Sequence, residues 1–134
     1  MNLNAFFDEM FEVLDAAAIG LTVPDETGAR AGEPPAPYVM LPAINYQEPG
    51  PGLHRIEDLV LTVVFGPANN PKVFRTALEY ASTTGAKSLW AAVRAHTWTS
   101  VGTLFIRSAE PNTDSLRDSN PQVAYDFHID ITGG

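Results

Sequence analysis

The sequence predicts an α+β fold, a sheet of roughly four mainly antiparallel strands with helices packed on one face, in the order α-β-β-α(α)-β-β. Three observations carry this. Val123, Tyr125, Phe127, Ile129 and Ile131 alternate with Gln122, Asp126, His128, Asp130 and Thr132 almost without error. Strand side chains point to opposite faces with a period of two, so this is a strand with one apolar and one polar face. Residues 3–21 instead repeat apolar side chains at steps of three and four (Leu3, Phe6, Phe7, Met10, Leu14), the signature of an amphipathic helix. Residues 59–65 are almost continuously apolar and β-branched, as expected of a central strand.

Taken in order, the first helix has Asn2 or Asn4 to cap its start and Gly20 to end it. Its outer face carries Asp8, Glu9, Glu12 and Asp15 with no lysine or arginine, which reads as a solvated acidic face or as a surface for basic groups of a neighbour. Pro24, Pro34, Pro35 and Pro37 make Val23–Pro37 a loop. A short strand follows over Tyr38–Leu41, with Pro42 holding it to an edge or ending it, and Asn45–Gly52 is a second long turn. The strand beginning at Arg55 pairs with it as a wide hairpin. Asn70 then caps a helix with Pro71 in its first turn, and Phe74, Ala77, Leu78 and Ala81 form its apolar stripe. Gly85 breaks or kinks this helix, which resumes from Ala86 to His96. A second hairpin, with a polar loop over Asn112–Asn120, closes the chain.

Length and composition bound the function. A chain of 134 residues with 45% hydrophobic content is a single domain, 1–134, with enough apolar surface for a core. There is no apolar run of the ~20 residues a membrane helix needs, and the first residues lack the basic and apolar segments of a secretory signal. The absence of cysteine excludes disulfides and thiolate metal sites and fits a reducing cytoplasm. Eight Lys and Arg against sixteen Asp and Glu give a net charge of −8, which argues against gripping nucleic acid phosphates. A lumen that DNA only passes through has the opposite requirement, because an acidic lining does not stick.

The polar strand face aligns Asp126, His128 and Asp130 at steps of roughly 6.5–7 Å. Carboxylates and a histidine are ligands for zinc or iron. A metal site normally draws ligands from several elements, however, and nothing in the sequence brings His54 or His96 to this face. The row reads as the outside of a wall. No nucleophile elbow, P-loop, zinc-protease helix or dinucleotide fingerprint is present. Arg107, Glu110, Asp114, Arg117 and Asp118 read as a hydrophilic hairpin, and Trp90 and Trp98 as core or interface anchors, since no basic stripe accompanies them. The residues alone thus point to a non-enzymatic domain with long loops and an acidic exterior.

The layout as a whole resembles a known family. An acidic chain opens on "NLNAFFDEMFEVLDAAA" and a Pro/Gly-rich loop, continues with "PYVMLPA" and "RIEDLVLTVVFG", then a helical segment, and closes on "VAYDFHIDITGG". This is similar to the tail terminator proteins of long-tailed, siphovirus-type bacteriophages, especially those of actinobacterial phages. The resemblance covers nearly the whole chain and rests on layout, without a short diagnostic motif. It implies a structural virion protein, made in the host cytoplasm, that forms a hexameric ring on the head-proximal end of the tail tube. Such a ring ends tube polymerisation and presents a surface to the head–tail connector or neck protein. The expected partners are therefore other copies of the chain, the tail tube protein and the connector, with DNA passing through the lumen without specific binding and with no cofactor, reaction or membrane.

Under this resemblance, Asp8, Glu12 and Asp15 are expected to meet basic residues of the next subunit, with Arg94, Arg107 and Arg117 as candidates. Asp126, His128 and Asp130 are expected to face the channel, and the loops Val23–Pro37 and Asn45–Gly52 to dock on tube or connector. Two alternatives stand beside it: another neck or tail-completion protein, and a small-molecule- or metal-binding α+β domain with its pocket between sheet and helices.

Overall fold

The computed structural model of the chain describes residues 2–17, 21–22, 37–40, 42–45, 55–117 and 119–132. The sequence's expectations for Val23–Pro37, Asn45–Gly52, Gly20, His54 and Asp118 fall wholly or mostly outside these residues. The elements are α1 (Leu3–Ala17), β1 (Tyr38–Val39), β2 (Ala43–Asn45), β3 (Arg55–Pro67), α2 (Pro71–Ala81), α3 (Leu89–Ala95), β4 (Thr103–Pro111), α4 (Thr113–Leu116) and β5 (Gln122–Thr132).

The fold is α+β, and the described residues form an open antiparallel sheet of five strands in the order β1-β3-β5-β4, with β2 also paired to β3. The extra strand beyond the expected four comes from Pro42. Proline has no N–H to give to a ladder, so the segment after Tyr38 divides into β1 and β2 on either side of it. The long apolar strand β3 is interior, flanked by β1 and β2 on one side and by β5 on the other. The final strand pairs with β4 as a hairpin and with β3 along most of its length, joining the two halves of the sheet.

The alternation in β5 has its expected consequence. Phe127, Ile129 and Ile131 are buried beneath the helices with Leu59, Leu61 and Val63 of β3, while Asp126, His128 and Asp130 lie half-buried on the other face. From α1, Phe6, Met10 and Leu14 enter the same core. Asn2 is the residue that caps α1, its Oδ1 accepting from Ala5 N at 3.2 Å. Asn70 caps α2 by accepting from Lys72 N at 3.1 Å, with Pro71 in the first turn.

Two helical expectations change. The core stripe of α2 is Val73, Ala77, Tyr80 and Ala81, so Ala77 and Ala81 lie where the sequence put them, whereas Phe74 and Leu78 turn outward at 49% and 44% exposure. Apolar residues on two adjacent helical stripes are ambiguous in sequence, and Tyr80 supplies the larger side chain for the core. The break at Gly85, whose φ is +101°, is complete, and α3 begins at Leu89 instead of Ala86. The buried Ser88 sets that start: its Oγ accepts from Ala91 N at 3.0 Å and donates to Ser82 O.

Candidate functional site

The polar face of the sheet holds two hydrogen-bonded clusters. In the first, β3 supplies Asp58, β5 His128 and β4 Arg107 and Glu110. Asp58 Oδ1 accepts from Arg107 Nη2 at 3.1 Å and lies 2.7 Å from His128 Nδ1. His128 Nε2 is 3.5 Å from Glu110 Oε2, so the imidazole is bracketed by two carboxylates. A register shift between Ile106 and Ser108 on β4 bulges the strand at Arg107 and frees that side chain from strict alternation. In the second cluster, Asp126 accepts from Thr62 Oγ1 at 2.6 Å and from Asn112 Nδ2 at 3.1 Å. Asp130, the third member of the row, has a solvent-shielded Oδ1 that accepts no hydrogen bond from the described residues.

These ties fix side chains in place. Asp126 takes bonds from two donors, and His128 stands between the carboxylates of Asp58 and Glu110. Among the described residues no group of three or more His, Asp or Glu has the arrangement of a metal site. His96 lies on the helix side, away from this row, bonded to Glu9 at 2.7 Å.

The structure separates the expected interface residues. Asp8, Glu12 and Asp15 are on α1, with Glu12 and Asp15 exposed. Arg94 is on α3, where its guanidinium stands 4.9 Å from the Trp90 ring centre. Arg107 belongs to the sheet's polar face and is held by Asp58, and Arg117 follows α4.

Glu9 leaves the acidic face to which the sequence assigned it. Its carboxylate turns inward, 13% exposed, and accepts from Ser100 N at 2.8 Å, Ser100 Oγ at 2.6 Å and Thr99 N at 3.0 Å, with His96 Nε2 at 2.7 Å. Desolvation pushes this carboxyl upward, but the bonds from Ser100, His96 and Thr99 together outweigh it and hold the pKa at about 2, below the usual 4.5. Sequence offered a weak signal for this, three hydroxyl residues and a histidine in "HTWTS", with nothing to link them to residue 9.

Two concavities stand out, one bordering α3 and the other bordering α2 and α4. One, about 520 Å³, lies between α3 and the edge strand β4 and is lined by Trp90, Arg94, His96, Trp98, Leu104 and Phe105 among others. Trp98 is fixed by its Nε1 donating to Val93 O at 3.1 Å and by packing against Phe6. The other, about 430 Å³, is an apolar groove in which Phe74 of α2 faces Leu116 of α4 across Val123 and Tyr125. No helix among the described residues is long and apolar enough to cross a membrane. In comparisons with family models, curated proteins and solved structures, nothing matches the chain.

Proposed function

We propose that the protein is a structural assembly subunit: a tail-terminator-like chain that forms a hexameric ring capping a phage tail tube, ends tube growth and offers the head connector its docking surface. The observation that carries this reading is the apolar surface around α2, where Phe74 and Leu78 are 49% and 44% exposed and Phe74 shares a groove with Leu116, itself 43% exposed. Large apolar side chains gathered on one side of a small domain mark a surface that is covered in the working assembly. The α+β layout quoted from the sequence supports the same reading, as does a polar sheet face whose charged groups are bound to one another. In this reading the virion is the site of action, DNA passes without specific contact, and no reaction or cofactor is involved.

Light scattering across a concentration series, with negative-stain images of the same sample, tests it. Six copies of the 14.5 kDa chain give 6 × 14.5 = 87 kDa. A ring of that mass, or a smaller species that caps tail tubes and stops their growth, is the expected result. A monomer that neither assembles nor caps tubes ends the proposal. A neck or tail-completion protein would bind the connector and leave tubes uncapped. A small-molecule-binding domain is the second reading, favoured by the aromatic cavity between α3 and β4. It predicts a ligand-dependent rise in melting temperature that Trp90→Ala removes.

A further inference from the structure

Two helix faces on this chain complement each other. On α2, Phe74 and Leu78 stand one turn apart and outward, Arg75 lies three residues before Leu78 on the adjoining flank, and both Arg75 and Lys72, one turn before it, are exposed. The nearby Glu79 is engaged by Lys87 at 3.2 Å, and neither Lys72 nor Arg75 has a carboxylate partner among the described residues. On α1, Phe7 and Phe11 are also one turn apart, stacked at 5.9 Å and half-buried. Next to them run Asp8, Glu12 and Asp15, with no cationic partner among the described residues. Each helix thus shows an apolar pair bordered by charge, acidic on α1 and basic on α2. The two are separate helices, and α3 is the one that packs on both.

We infer that the α1 face of one copy docks on the α2 face of the next, with Phe7 and Phe11 against Phe74 and Leu78 and with Glu12 opposite Arg75. The occupant is a second copy of this chain because both halves of the match, apolar pair and opposite charge, are carried by the same molecule. Two different patches meeting make a heterologous contact, which closes into a ring when the rotation fits. Apolar contact supplies the attraction, and the charge pairing fixes the register and suppresses the reversed arrangement. The inference rests on the assembly reading and specifies the surfaces that build the ring.

Sedimentation equilibrium of the full chain and its variants tests it. Glu12→Lys and Arg75→Glu should each raise the association midpoint about tenfold, and the double exchange should recover part of that loss. Phe74→Asp should abolish assembly. All these side chains are exposed, so melting curves of the dilute proteins should stay unchanged. Mixing Phe74→Asp with Glu12→Lys/Asp15→Lys leaves one intact pair of faces, and the mixture should stop at 2 × 14.5 = 29 kDa. A wild-type ring with these variants assembling at the wild-type midpoint overturns the interface and leaves the assembly reading standing. If the wild type is monomeric in solution, the Glu12→Cys/Arg75→Cys chain is oxidised on tail tubes, a clean test because the protein has no cysteine of its own. A cross-linked ladder supports the contact, and monomers alone overturn it. Loss of both assembly and capping removes the inference together with the function it rests on.

Discussion

Glu9 shows how one side chain can tie two distant segments together. Its carboxylate joins α1 to residues 96–100, more than eighty positions away, through two backbone N–H groups, two hydroxyls and an imidazole. Because its pKa is lowered from 4.5 to about 2 in the folded chain, the clasp contributes its full stability above pH 4.5 and loses it as the pH falls towards 2. Urea unfolding at pH 7 and pH 3 should therefore show a loss on acidification that Glu9→Gln does not share to the same degree. At pH 7 the same substitution should cost about 2 kcal/mol, since charged acceptors make the stronger hydrogen bonds. Equal acid sensitivity in the variant would show that other carboxylates carry the effect. Glu9 was illegible in sequence because it sits among Asp8, Glu12 and Asp15 on a helix whose charges look alike, and only the path of the chain after α3 distinguishes it. The row of Asp126, His128 and Asp130 was legible as one face from its spacing alone. Its partners Asp58, Thr62 and Asn112 come from other segments and were not.

Elements were readable wherever a period or a cap announced them. The alternation of β5, the apolar run of β3, and Asn70 with Pro71 at the start of α2 each led to the observed structure. The division of β1 from β2 and the choice of stripe on α2 depended instead on pairing and packing that no local pattern encodes. Two glycines separate these influences experimentally. Gly66 lies at the register shift between β3 and β5 with φ +135°, and a Cβ there would stand 3.3 Å from Val73 Cγ2 on α2. Gly85, with φ +101°, would meet nothing within 4 Å. Gly85→Ala should thus cost only its backbone strain, about 1 kcal/mol. Gly66→Ala adds crowding of the helix against the bulge and should cost about 2–3 kcal/mol. Chemical denaturation of both variants measures the difference, and equal costs would mean that α2 yields freely to the added methyl.

At the scale of the whole molecule, net charge would work against the proposed ring that the helix faces are suited to build. In the proposed hexamer six copies at −8 each would carry 6 × −8 = −48, so neighbouring subunits would repel over their whole surfaces while attracting through a few opposed groups on α1 and α2. Distance decides which effect salt reaches first. The Debye length shortens from about 30 Å at ~0.01 M salt to about 8 Å at ~0.15 M, so added salt screens the long-range repulsion well before it touches contacts a few ångströms long. Association should therefore strengthen over that range, contrary to the usual behaviour of a contact with charged pairs at its rim. Near 1 M the Debye length is about 3 Å and the pairs themselves weaken, leaving the apolar contact of Phe7 and Phe11 with Phe74 and Leu78. Glu12→Gln should respond least between ~0.15 and ~1 M, since it keeps neither the attraction nor a repulsion towards Arg75. Sedimentation at the three salt levels measures this, and a wild-type midpoint that only worsens as salt is added would show that opposed charges, and not apolar contact, hold the ring.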